Sequence, residues 1–325
     1  MKKVLLFVLA SLMFSIEMSA QTSGGQILRR GTSRTPVHTT KKSNKEGTVS
    51  TQKVYPQRDE LFNRDEKLQP KGVLSSSISD INYYVLPSPN FNGHLLERNQ
   101  TRKQVALRQL SCESNSITDD EQWLNNNGIQ LQEERIGVGM KIGQLALRRR
   151  ILSGSYHILL FGISFGDITK VVVTNEQETA LFAAYDFENF RKSPKRNKTD
   201  EYSGNQHVMD VIIENGIMYV AHGGSTYAST YGNQTGYISA ISLLNNEILW
   251  TSLPLTNNSK IAIVGNSLIT GYGFTSEPDY LFVLDKYSGQ RVQKIVLKNG
   301  PEYIIAKENS LLVRTYSYNY VFSIQ

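Results

Sequence analysis

Tyr237-Ile238-Ser239-Ala240-Ile241-Ser242-Leu243-Leu244-Asn245-Asn246-Glu247-Ile248-Leu249-Trp250 is the stretch that decides the fold class. A run of strand-forming residues ends in an Asn-Asn turn, and a second apolar run returns carrying a tryptophan. At an offset of 43, Tyr280-Leu281-Phe282-Val283-Leu284-Asp285 repeats the opening of that pattern. Asn266-Ser267-Leu268-Ile269 recurs at the same offset as Asn309-Ser310-Leu311-Leu312. Asn215-Gly216-Ile217-Met218 fits one unit earlier at an offset of 51, with the excess in an insertion at residues 225–234. Ala183-Ala184-Tyr185-Asp186 and the terminal Tyr320-Val321-Phe322-Ser323-Ile324 also resemble Phe282-Val283-Leu284-Asp285. A period in the low forties, built from short strands, is what propeller blades show. One such unit cannot bury its own apolar face, so neighbours must stack.

The surrounding sequence agrees. Apolar runs at residues 156–161, 168–174, 208–213, 217–221, 237–243, 260–264, 280–285 and 295–297 alternate with Gly, Asn and Ser punctuation. Long amphipathic helical patterns are missing, so residues 151–325 are expected to be all-β propeller repeats. The blades are expected to be four-stranded, of the PQQ-like or WD40-like kind, in a small or incomplete ring.

Ala240-Ile241-Ser242-Leu243-Leu244-Asn245-Asn246-Glu247-Ile248-Leu249-Trp250 resembles the PQQ-type, quinoprotein-like propeller repeat, written Ala-Leu-Asp-x-x-Thr-Gly-x-x-x-Trp. Val283-Leu284-Asp285-Lys286-Tyr287-Ser288-Gly289 resembles it too, with Gln293 at the Trp position. The resemblance covers about residues 170–325. It implies that the Trp docks between neighbouring blades. Quinoprotein dehydrogenases of that family are much longer and bind a quinone and calcium, often beside an adjacent cysteine pair. With Cys112 alone, this chain resembles instead the non-enzymatic members, such as the propeller scaffold of bacterial outer-membrane assembly machinery. No cofactor or metal is expected.

Residues 81–150 fit the repeat least and read as divergent blade(s) or a small α/β module. Thr118 and Glu121 have capping-box spacing ahead of Trp123-Leu124, and Asn125-Asn126-Asn127-Gly128 would end that helix. Residues 129–136 and 141–152 could follow as strands.

The 325 residues carry 35 Lys and Arg against 29 Asp and Glu, a formal charge of +6. Residues 1–20 have Lys2 and Lys3 before an apolar run at 4–16, then Ser19 and Ala20, the order of a secretory signal peptide. Residues 21–80 hold 11 basic and 6 acidic side chains with few aliphatics, and read as a disordered basic linker. Residues 81–325 then balance at 22 against 22. A basic nucleic-acid-binding face is therefore not expected on the folded part. No apolar run reaches the eighteen or so residues a membrane helix needs. The expected location is secreted or periplasmic, in the cell envelope.

Gly162-Ile163-Ser164-Phe165-Gly166 matches the nucleophile-elbow pattern, with Asp186 or Asp210 and then His222 in hydrolase order. The elbow needs a helix next, whereas residues 167–173 are β-branched, so a β-turn is the competing account. Gly137-Val138-Gly139-Met140-Lys141-Ile142-Gly143 is one residue off the dinucleotide fingerprint and lacks its βαβ frame. The histidines show no metal-ligand spacing. Arg191-Lys192-Ser193-Pro194-Lys195-Arg196-Asn197-Lys198 is a cationic loop suited to an acidic partner or simply to solvent. Tyr316, Tyr318 and Tyr320 alternate and are expected on one face of the last strand. With Tyr227 and Tyr231 of the insertion, they are the candidate partner or ligand surface; for Tyr316, Tyr318 and Tyr320 the favoured competing account is packing between blades. The functional expectation is non-catalytic binding of a protein partner, in a scaffold, assembly or immunity role. The alternatives are a glycan-binding envelope protein and a serine hydrolase acting through Ser164.

Overall fold

The computed structural model describes residues 62, 68–74, 80–116, 119–137, 140–192 and 205–325. The expected signal peptide, most of the linker, Thr118, Val138-Gly139 and the cationic loop beyond Lys192 lie outside these residues. The described chain begins with the two-residue strands β1 (Gly72–Val73) and β2 (Tyr84–Val85). Strand β3 (Leu107–Ser114) and the short helix α1 (Asp120–Asn126) follow. The helix is capped by Asp119, whose carboxylate accepts from the Glu121 N–H, so the cap falls one residue after the expected Thr118.

Four sheets then form in chain order, antiparallel throughout except where β2 pairs parallel with β9. The first contains β4 (Glu133–Arg135), β5 (Lys141–Ile142), β6 (Leu145–Ser153), β7 (Tyr156–Gly162), β8 (Ile168–Asn175) and β9 (Ala180–Asp186). Its four-stranded body is β6–β9, with β1 and β2 added along β9 and β4 and β5 along β6. Gly72 and Val73, inside the expected linker, thus pair with Leu181 and Ala180. The second sheet is β10 (His207–Glu214), β11 (Ile217–Gly223), β12 (Tyr237–Ser242) and β13 (Ile248–Thr251). The third is β14 (Ala262–Val264), β15 (Ser267–Tyr272), β16 (Tyr280–Asp285) and β17 (Arg291–Val296). The fourth is β18 (Pro301–Lys307), β19 (Ser310–Thr315) and β20 (Tyr318–Ile324), completed by β3 from the other end of the chain.

This is an all-β propeller arrangement of four-stranded blades. Among the described residues there are four blades. The 43-residue offset joins equivalent strands, β12 to β16 and β15 to β19. The Ala183-Ala184-Tyr185-Asp186 likeness is an exception, because it lies on a fourth strand, β9, and not a third. Residues 81–150 are divided between sheets: β3 completes the fourth, and β4 to β6 open the first.

Strand alternation explains why the blade strands read as unbroken apolar runs. In β11, Met218 and Val220 face the first sheet, while Ile217, Tyr219 and Ala221 face the third. In β16, Phe282 and Leu284 face the second sheet, and Leu281 and Val283 the fourth. A blade with neighbours on both sides buries both faces, so odd and even positions are apolar alike. Among the described residues the outward faces of the first and fourth sheets are covered by other elements. Leu147, Leu159, Phe161 and Val172 of the first sheet pack against Leu74, Ile81 and Tyr83. On the fourth, Trp123 of α1 meets Tyr303 at 6.0 Å, and Arg314 reaches Asp120 at 2.7 Å.

The seams share one device on the outermost strand of each blade. Tyr185 of β9 donates to Asn246 Oδ1 of the second sheet at 2.8 Å. Trp250 of β13 donates from Nε1 to the Lys286 carbonyl of the third sheet at 3.1 Å. Gln293 of β17 exchanges two hydrogen bonds with the Leu107 backbone of the fourth, both 2.8 Å. The docking role implied by the repeat resemblance is therefore present at all three seams, with Tyr and Gln standing in for Trp. Gly289 lets the indole approach: a Cβ there would lie 2.6 Å from the Trp250 ring.

Candidate binding face

The two ends of the blades are built differently. First-to-second and third-to-fourth strand connections are tight, held by positive-φ residues such as Asn215, Gly216, Asn246 and Gly289. The second-to-third connections and the links between blades lie at the opposite end and include the longest of the described loops within and between blades. They comprise residues 163–167, 224–236, 252–261 and 273–279, the 297–300 link, and the short turn at 316–317. Hydrogen bonds tie these loops to each other. The Ala228 N–H donates to Glu277 Oε1 at 2.6 Å, the Leu255 N–H to the Thr235 carbonyl at 2.8 Å, and Gln206 Nε2 to the Gln234 carbonyl at 2.8 Å. A residue at this end is thus presented on a fixed support.

Ile163, Phe165, Tyr227, Leu253 and Tyr316 are exposed there, Tyr316 by 81% and Ile163 by 53%. Arg148 holds the first hairpin turn, donating to the Gly162 carbonyl at 3.2 Å and to the Ile163 carbonyl, with its guanidinium 5.9 Å from the Phe165 ring. Tyr227 packs edge-on against Phe274 at 4.7 Å.

The five candidate tyrosines separate. Tyr227 and Tyr316 are at the surface, both at the long-loop end. Tyr231 is 1% exposed, folded over the Gly224 backbone, and Tyr320 is 3% exposed. Both belong to the interior and are withdrawn from the candidate surface, because an enclosed ring offers a partner nothing. Tyr320 accepts a hydrogen bond from the Lys298 N–H at 2.9 Å. Tyr318 is half-buried beneath the Lys298 ammonium, 4.2 Å from its ring centre. Tyr316 lies in the turn ahead of β20, so it does not share a strand face with the other two as the alternation suggested.

Ser164 sits in an exposed hairpin turn between two antiparallel strands, Gly162 pairing with Ile168. The strand–turn–helix setting of a nucleophile elbow is absent. His222 is fully buried between Phe190 and Tyr237, with Nε2 2.9 Å from Ser239 Oγ, and burial pushes its pKa down to about 3. It is a neutral packing residue, as is His207, which burial lowers to about 4. Among the described residues no group of three or more His, Cys, Asp or Glu is placed to hold a metal ion.

Sequence reasoning missed an ion-pair network that joins three blades. Asp210 Oδ1 accepts from Arg149 Nη2 at 2.8 Å, and its other oxygen accepts from the Ile261 N–H at 3.1 Å. Glu133 accepts from Arg149 at 2.6 and 3.0 Å and also pairs with Lys260. Burial alone would raise the Glu133 carboxyl, but Lys260 and Arg149 outweigh it and hold it below its ordinary value. The charges at residues 133, 149, 210 and 260 lie far apart along the chain and carry no shared sequence signature, since only the fold brings them together.

No family model matches the chain, and no curated protein matches it in sequence. Solved structures similar to it include BamB from Moraxella catarrhalis, at 10% identity and a TM-score of 0.29 over 60% of this chain and 61% of that one. The WD40 beta propeller domain of Doa1 matches at 11% identity and 0.34, over 52% of this chain and 47% of that one. GH43B of the Bacteroides ovatus xyloglucan PUL matches at 14% and 0.36, over 59% and 40%. The chain spans less than two thirds of each of these. The four-stranded blades and their docking residues, and not these likenesses, carry the fold.

Proposed function

We propose that this is a non-catalytic binding protein of the cell envelope or secreted space, holding a protein partner on its long-loop face. The observation that carries the reading is the gathering of Ile163, Phe165, Tyr227, Leu253 and Tyr316 at one end of the blades. Exposed apolar and aromatic side chains gathered at one end of hydrogen-bonded loops have the composition of interface cores. Cross-linked loops lose little conformational freedom on association, which favours affinity. The signal-peptide pattern of residues 1–20 supports the location, and among the described residues no helix is long and apolar enough to cross a membrane.

Co-purification of the tagged chain from its native envelope fraction tests this. A protein recovered at defined stoichiometry is the expected result. Recovery of nothing above background would count against the proposal.

A further inference from the structure

At the long-loop end, between the third and fourth sheets, lies a cleft of about 530 Å³, bordered by Phe274, Thr275, Asp279, Asn299, Glu302 and Tyr316. The volume falls in the range of about 300–1,000 Å³ typical of small-molecule sites. Its floor is two loops in close approach: a Cβ on Gly300 would meet the Gly273 carbonyl oxygen at 2.8 Å. We infer that this cleft binds a saccharide, with Tyr316 stacking on a sugar ring while Asp279, Asn299 and Glu302 accept from its hydroxyls.

Three observations point to that ligand class. The Tyr316 ring is 81% exposed beside the cleft, an open platform for the C–H face of a pyranose. The polar lining is acceptor-rich and includes no Lys or Arg, so an anion would be repelled and a donor of several hydroxyl hydrogens suits it. Asn299 lines the cleft and its Oδ1 accepts no hydrogen bond among the described residues, so turning that amide toward a ligand hydroxyl would satisfy it. Both carboxyls are already harder to ionise than usual. Burial raises Asp279 against a donated Gly300 N–H, and burial together with Asp120 raises Glu302 against Arg314. A cage for an ammonium group would surround it with several rings. Here one ring stands open, and Phe274 is partly covered by Tyr227.

The inference does not rest on the protein-partner reading. The test uses the full secreted chain on an array of neutral and acidic mono- to tetrasaccharides, followed by titration of the retained sugars. Neutral saccharides should be retained, and Tyr316→Ala should weaken the best of them roughly tenfold. Glu302→Gln, also at an exposed position, should weaken binding with unchanged thermal unfolding. Retention of no saccharide would overturn the inference. So would retention indifferent to Tyr316→Ala, or binding of a lysine-rich peptide alone.

Discussion

The indole N–H of Trp250 donates to the carbonyl of Lys286 at 3.1 Å, so the outer strand of one blade is bonded to the turn of the next. That contact ties the repeat seen in sequence to the seam seen in structure. Trp250→Ala removes a fully buried indole and should cost about 3–5 kcal/mol. Gly289→Ala places a Cβ 2.6 Å from the same ring at a φ of +75°, and should cost about 1–3 kcal/mol. Gly166→Ala, where a Cβ meets nothing within 4 Å, should stay within about 0.5 kcal/mol. Urea midpoints of the three variants check the order.

The fourth sheet depends on a strand from the other end of the chain. Val321 and Phe322 of β20 pair with Ser111 and Gln109 of β3. Leu107→Ala, which empties a buried β3 side chain in the fourth sheet's core, should cost about 2–5 kcal/mol in urea unfolding. An effect below about 0.5 kcal/mol would contradict the packing of β3 into the fourth sheet.

Asp210 links Arg149 of the first sheet to Ile261 at the entrance to the third. Asp210→Ala leaves Arg149 with Glu133 as its remaining carboxylate and the Ile261 N–H without its acceptor, and should cost about 1–3 kcal/mol. In a double-mutant cycle, Asp210→Ala and Arg149→Ala should couple by about 1 kcal/mol or more. Additive effects would show that the network is dispensable.

Two buried histidines set an acid limit on stability. Their folded pKa values are depressed, to about 3 for His222 and about 4 for His207, both chiefly by burial, while the unfolded chain titrates near 6.5. Their stabilising contribution is therefore complete above pH 6.5 and falls as the pH drops toward 4. The unfolded state gains protons that the folded state refuses, at about 1.4 kcal/mol per pH unit for each histidine. Denaturation at pH 7 and pH 5 should show the loss, and His222→Gln should remove about half of it. Equal stability at the two pH values would contradict the assignment of both rings as neutral.

Much of the fold was legible because stacked blades bury both faces of each strand. The runs at residues 208–213, 217–221, 237–243 and 280–285 therefore carried their identity in composition alone. Trp250 and Asp285 revealed the docking turn for the same local reason. Strand β3 was not legible: most of its side chains are exposed or half-buried, and its partner lies about two hundred residues away. The candidate face was legible in part. Tyr227 and Tyr316 are exposed at the long-loop end, but Tyr231 and Tyr320 look the same in sequence and are interior. A tyrosine's exposure depends on the sheet packed over it, which local sequence does not encode. Ile163 and Phe165 were present in the elbow-like motif and went unused, since an apolar pair in a β-turn acquires meaning only when the turn's end of the blade is known.

Partner retention by face-directed variants tests the central claim most directly. The double variant Ile163→Asp, Phe165→Asp alters two exposed side chains at the long-loop end, and Leu244→Asp alters an exposed one at the tight-turn end. With folding verified by unchanged thermal unfolding, the double variant should lose the co-purifying protein while Leu244→Asp keeps it. Undiminished retention by the double variant, or loss confined to Leu244→Asp, would contradict the assignment of the long-loop face as the binding surface.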